Sequence, residues 1–123
     1  MIAVDTSSLR RYLSGTAGRD VDTVAISLDE HQLLLPPVVL TEMLSEPRLQ
    51  RSTIEVIAAI PLLDVLEGYW TRAGQLRARI IADGHKAKIA DSLIAQSCLD
   101  HRVALITHDN DFRHYERHGL VLA

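Results

Sequence analysis

The stretch IAVDTSSL, residues 2–9, decides how the rest of the chain is read. Ile2, Ala3 and Val4 form a short apolar run of the kind that fills a fully buried parallel strand. The run stops on a carboxylate, Asp5, and the ThrSerSer that follows can cap a helix carrying Leu9 and Leu13. Strand, acid and helix start thus succeed one another without a spacer, as in a unit of an α/β domain.

Working outward, short apolar runs keep alternating with helical patterns. A second helix is expected around residues 20–31, and LeuLeuLeu at 33–35 as a buried run stopped by Pro36 and Pro37. A helix holding Val39, Leu40, Met43 and Leu44 places Glu42 in its first turns, and Pro47 limits it. Residues 51–60 read as a helix, and IPLLD at 60–64 as a strand near a sheet edge, because Pro61 lacks a donor. From Leu66 onward Tyr69, Ala73, Leu76 and Ile80 recur at helical spacing until Gly84. The next helix, from about Lys88 to His101, is expected to bury Ile89, Leu93, Ile94 and Cys98, with Asp91 near its start. VALI at 103–106 follows as a strand, THDND at 107–111 as a polar loop and GLVL at 119–122 as a last strand. The pattern predicts an α/β fold with a central parallel sheet of four to five short strands flanked by helices.

A chain of 123 residues, 47% hydrophobic and 24% charged, fits one compact domain over residues 1–123. No apolar run approaches the roughly 20 residues of a membrane-spanning helix, and the start lacks the marks of a secretory signal, so a cytoplasmic location is expected. The single cysteine, Cys98, has no disulfide partner and no second thiol for zinc, and reads as plain core. A net charge of −3 does not suggest a nucleic-acid binder. It permits one, however, once several carboxylates are committed to a bound cation. Eleven of the 13 basic residues are Arg, which favours bidentate contacts to carboxylate or phosphate. Only five residues are Trp, Tyr or Phe, too few for an extended base-stacking platform.

In an open parallel sheet, ligands bind beyond the carboxyl ends of the strands, where the winding direction reverses. Asp5 and Asp109 each stand just past such an end, Asp91 leads into the strand before Asp109, and Glu42 arrives from the helix after the second strand. A lone Asp after a strand is more often a helix cap or a solvated loop residue. Four such acids directed to one crevice repel each other and need protons or cations to hold them. An all-oxygen set without Cys or His favours Mg²⁺, with Mn²⁺ able to substitute, over zinc. An ion of this kind suits phosphodiester hydrolysis. Asp91 is the most telling of the four, being a carboxylate among Ile89, Ala90, Leu93, Ile94 and Ala95.

The strings IAVDTSSL at 2–9, PPVVLTEMLS at 36–45, IADSLIAQSCLDH at 89–101 and LITHDNDF at 105–112 resemble the four motif blocks of PIN domains. The likeness spans the whole length and is nearest to the VapC-type toxins of bacterial type II toxin-antitoxin pairs. It implies a three-layer fold and an endoribonuclease acting on RNA, with Asp5, Glu42, Asp91 and Asp109 as catalytic acids and metal ligands. It further implies that Ser7 and Thr107 orient carboxylates by hydrogen bonds, that Asp111 assists through water or a second ion, and that the partners are a cognate antitoxin and a second copy in a homodimer. Ser97 stands where a small apolar residue is common and Arg102 where Gly is frequent; neither touches the acidic set.

Of the six histidines, His31, His85, His101, His114 and His118 fall at expected helix ends or loops, whereas His108 adjoins Asp109 and is a candidate substrate contact. Arg10 and Arg11 lie on the first helix close to Asp5, where they meet a phosphate or an acidic partner segment, or else face solvent. Tyr69 and Trp70 read as core or dimer contacts, and Glu46, one turn beyond Glu42, competes for its role. A non-enzymatic phospho-receiver is the alternative, with Asp64 as acceptor, but the only lysines, Lys86 and Lys88, are not at the end of the last strand where a receiver needs one. A dehalogenase-like phosphatase would require an acid two residues after Asp5, where Ser7 stands. An inactive partner-binding module is hard to reconcile with four retained acids.

Overall fold

A computed structural model describes all residues from Met1 to Ala123. Three strands, β1 (Ile2–Val4), β2 (Leu33–Leu34) and β3 (Ala104–Ile106), form a parallel sheet in the order β2-β1-β3. Ala3 pairs with Leu34 on one side and with Leu105 on the other, and Val4 pairs with Ile106. β1 is therefore central, and Ala3, Val4, Leu105 and Ile106 are almost fully buried. The continuous apolar reading of residues 2–4 follows from that position, because a middle strand of a covered sheet has no solvent face.

Around the sheet run α1 (Thr6–Leu13), α2 (Arg19–Asp29), α3 (Pro37–Leu44), α4 (Arg51–Ala58), α5 (Tyr69–Ala82) and α6 (Ile89–His101), with a 3₁₀ helix over Asn110–His118. α1 and α2 pack on each other, and α2 reaches β2 and β3; α6 packs on β3, α3, α5 and the 3₁₀ helix. The chain leaves β1 for β2 in one direction and returns past it to β3 in the other. Right-handed crossovers then place the two groups of helices on opposite faces.

The sheet has three strands rather than four to five. Residues 60–64 and 119–122 contribute only isolated parallel bridges, Leu35 with Leu62 and Leu105 with Leu122. Both flank the sheet edges, and Pro61, which has no N–H, offers only its carbonyl to Leu35. α2 stops at Asp29, short of residue 31, because His31 adopts φ 53°, a left-handed conformation that a helix does not accommodate. Gly84, at φ 93°, turns the chain out of α5 as expected.

α6 is the central helix, and six of the seven residues from Ser92 to Cys98 are buried. Cys98 is among them, and burial pushes its thiol up to about 12. Ile89 departs from expectation: it precedes the buried stretch and is 63% exposed. The polar loop after β3 is also shorter than expected, because residues 110–118 wind into the 3₁₀ helix. Phe112, Tyr115 and His118 recur every third residue, the repeat of a 3₁₀ helix, so the first two enter the core and His118 meets Asp83 at 2.7 Å. No helix is long and apolar enough to cross a membrane.

Candidate metal centre

Asp5 is the least free of the acids. It caps α1, its Oδ1 accepting from the Ser8 N–H at 3.0 Å, and it is 2% exposed. Its backbone N–H continues the sheet to Ile106 O at 3.0 Å, so the residue sits where β1 and β3 end side by side. The Thr107 hydroxyl donates to Asp5 Oδ2 at 2.6 Å, and the Ser7 hydroxyl lies 2.8 and 2.9 Å from the two carboxylate oxygens. The same hydroxyls accept from the loop beyond β3: Asp109 N–H donates to Thr107 Oγ1 at 3.0 Å and His108 N–H to Ser7 Oγ at 3.1 Å. Two bridging hydroxyls thus lace the start of α1 to the 107–109 loop and set the separation of Asp5 and Asp109.

Asp109 in turn caps the 3₁₀ helix, accepting from Asp111 N–H at 2.9 Å. From the other side, the first turn of α6 brings in Asp91, half-buried at the positive end of the helix dipole. A buried hydrogen bond of 2.9 Å between Ser92 and Tyr115 hydroxyls ties that turn to the 3₁₀ helix. The consequence is a group of three carboxylates, Asp91, Asp109 and Asp111, with one oxygen of each within 4.8 Å of the others.

The electrostatics reflect this crowding. Asp91 is pushed up to about 6, by burial first and then by Asp109, with smaller contributions from Asp111 and Asp5 and partial relief from Lys88. Asp5 is raised as well, burial outweighing the hydrogen bonds from Ser8, Thr107 and Ser7, with Asp109 adding to the rise. Asp91 and Asp5 are destabilised as anions, and the convergent three offer only oxygens with no thiol or imidazole among them, which fits a hard divalent cation.

The sequence-derived residues are not equally close. Asp91 and Asp109 converge; Asp5 lies against them, close enough for each of the pairs Asp5–Asp109 and Asp5–Asp91 to be felt electrostatically. Asp111, expected only to assist, is the third member of the tight group although its side chain is exposed. Glu42 is not one of the convergent three; its Oε1 accepts from the hydroxyl of Thr6, the neighbour of Asp5, at 2.7 Å. Glu46 leaves the contest, since α3 ends at Leu44 and Glu46 is exposed, capping the Arg48 N–H. Asp64 lies beyond the β2 edge, its carbonyl 2.8 Å from His101 Nε2. Sequence reasoning missed Thr6, Lys88 and the Ser92–Tyr115 tie; Thr6 had a signal, as the neighbour of Asp5 on a helix start.

The sequence profile of the PIN domain matches residues 2–118. The chain belongs to the PIN-domain family. None of the curated proteins matches it. PIN domains are in general metal-dependent nucleases, and in this one the acidic cluster stands at the carboxyl ends of β1 and β3, where the sheet's winding direction reverses. Arg102 closes α6 at φ 54°, a conformation glycine adopts without strain.

Proposed function

We propose that the chain is a single-domain, magnesium-dependent endoribonuclease that hydrolyses RNA phosphodiester bonds and serves as the toxin of a bacterial type II toxin-antitoxin pair in the cytoplasm. The observation that carries the hydrolase reading is the convergence of Asp91, Asp109 and Asp111 beside a buried, three-donor Asp5 in a PIN domain. Asp5, Asp91 and Asp109 would hold Mg²⁺, or Mn²⁺ in its place, with Asp111 and Glu42 completing the acidic rim. The chemistry such an ion supplies is a lowered pKa for attacking water, a grip on the phosphodiester and stabilisation of the leaving oxygen. Ser7 and Thr107 keep Asp5 in one rotamer, with its oxygens set by the sheet rather than by the ligand. Glu42, anchored through Thr6, would act as a proton acceptor.

The toxin assignment, with a cognate antitoxin and a homodimer as partners, rests on the motif resemblance. Exposed Trp70 (67%) and Ile89 (63%) beside Ala73 and Leu93 support a self-association face. RNA cleavage by the purified protein should stop with EDTA, return with Mg²⁺ or Mn²⁺, and be lost in Asp5→Asn. Cleavage indifferent to EDTA sinks the metal mechanism, and growth arrest by induced wild type and Asp5→Ala alike sinks the toxin.

A further inference from the structure

An acidic metal centre repels the phosphates it must act on, and a chain of net charge −3 has little general attraction to offset this. Cations placed locally have to supply it. Beside the 107–109 loop lie two adjoining clefts of ≈ 450 Å³ each, which share Thr107, His108 and Ala123. One includes Asp109 and extends to Asn110 and Arg113; the other extends to Arg11, Arg19 and Thr23.

Their charges are unevenly committed. Asp20, the only acidic side chain of the second cleft, is taken by Arg11 at 3.0 Å and by the Ser8 hydroxyl at 2.8 Å. Though burial works against it, those bonds hold its carboxyl below the usual range. Arg19 and Arg113, by contrast, are exposed, and their guanidinium groups take part in none of the molecule's ion pairs or hydrogen bonds; Arg19 is engaged only through its carbonyl, which accepts from the Thr23 hydroxyl. His108 stands between them, its backbone pinned to Ser7 and its side chain exposed. Two free guanidinium groups thus flank an exposed imidazole on a floor that begins at Asp109.

We propose that this trough binds the phosphodiester backbone of a single-stranded RNA on one side of the metal centre, with Arg19 and Arg113 as its phosphate contacts and His108 between them. The inference rests on the ribonuclease reading above and adds the route of the strand. Asp91 and Asp109 are half-buried, which favours a flexible single strand able to enter the crevice over a rigid duplex. Arginine's planar fork matches phosphate oxygens. No Trp, Tyr or Phe lines either cleft, so the trough holds the backbone and does not stack bases.

The test uses a 5′-labelled single-stranded oligoribonucleotide, with affinity read by fluorescence anisotropy across a salt series in an Asp91→Asn background and kinetics read in the otherwise wild-type protein. Arg19→Gln with Arg113→Gln should weaken binding about tenfold or more and flatten the log–log salt slope by about 1.4, two contacts at about 0.7 each. KM should rise by more than kcat falls, and Mn²⁺ binding should be unchanged. Arg102→Gln, at the opposite end of β3, is the control for overall charge and should change none of these. If the double variant keeps full affinity and slope, or Arg102→Gln loses as much, while wild type cleaves RNA, the trough is wrong and the ribonuclease reading stands. A wild-type protein that binds Mn²⁺ but neither binds nor cleaves RNA removes both.

Discussion

Replacing Asp91 by Asn should abolish cleavage and, in the metal-free protein at neutral pH, make the fold more stable. Asp91 is raised from an ordinary value of about 3.9 to about 6 by burial and by Asp109, Asp111 and Asp5. At about 1.4 kcal/mol per unit, the whole shift would correspond to about 3 kcal/mol. The side chain is only half-buried, so solvent screening reduces the expected gain to about 1–2 kcal/mol. The sign follows from proton binding. The folded protein holds the Asp91 proton to higher pH than the unfolded chain, so wild-type stability falls as pH rises from about 4 to about 6 and is level beyond. Asn cannot ionise, and the advantage of the variant should be near zero at pH 3.5 and complete by pH 7. Urea unfolding in EDTA at both pH values measures it. Adding Mn²⁺ should reverse the ranking, because the cation binds the folded wild type and the variant lacks a ligand. A variant that is less stable than wild type at pH 7 without metal, or whose advantage does not depend on pH, would refute the reasoning that the three carboxylates are held together against their own repulsion.

Thr107→Val removes the 2.6 Å bond to Asp5 and the acceptor for Asp109 N–H, so Asp5 should rise further. Stability should drop by about 1–2 kcal/mol, and the acid limb of the pH–rate profile should move upward, with Thr107→Ser restoring both. Tyr115→Phe leaves the buried Ser92 hydroxyl without its partner and should cost about 1–2 kcal/mol in denaturant titration. Because that bond ties the Asp91 turn to the 3₁₀ helix, Mn²⁺ affinity measured by calorimetry should fall as well. Arg102→Gly relieves a left-handed residue with no side-chain partner and should raise stability by about 0.5–1 kcal/mol, read as a higher Tm.

What the sequence determined by itself was whatever is local. The apolar run ending at Asp5, the helical spacing from Tyr69 to Ile80 and the stop at Gly84 are short-range consequences of burial and backbone preference, and they sufficed for the α/β class. The positions of Asp5, Asp91 and Asp109 at strand ends and a helix start were legible for the same reason. Tertiary structure decided what depends on distances between remote segments. Leu62 and Leu122 form single bridges rather than strands, each bonded through one residue of the neighbouring segment, Leu35 and Leu105. Ile89 looks like core by composition and is exposed because it opens α6 ahead of the buried stretch, at the edge of an open cleft shared with Trp70 and Ala73 of α5. Above all, no spacing rule could rank Asp111 with Asp91 and Asp109. Its place is set by Asp109 capping the 3₁₀ helix and by Tyr115 anchoring that helix to Ser92, a contact across 23 residues that exists only once the core has closed.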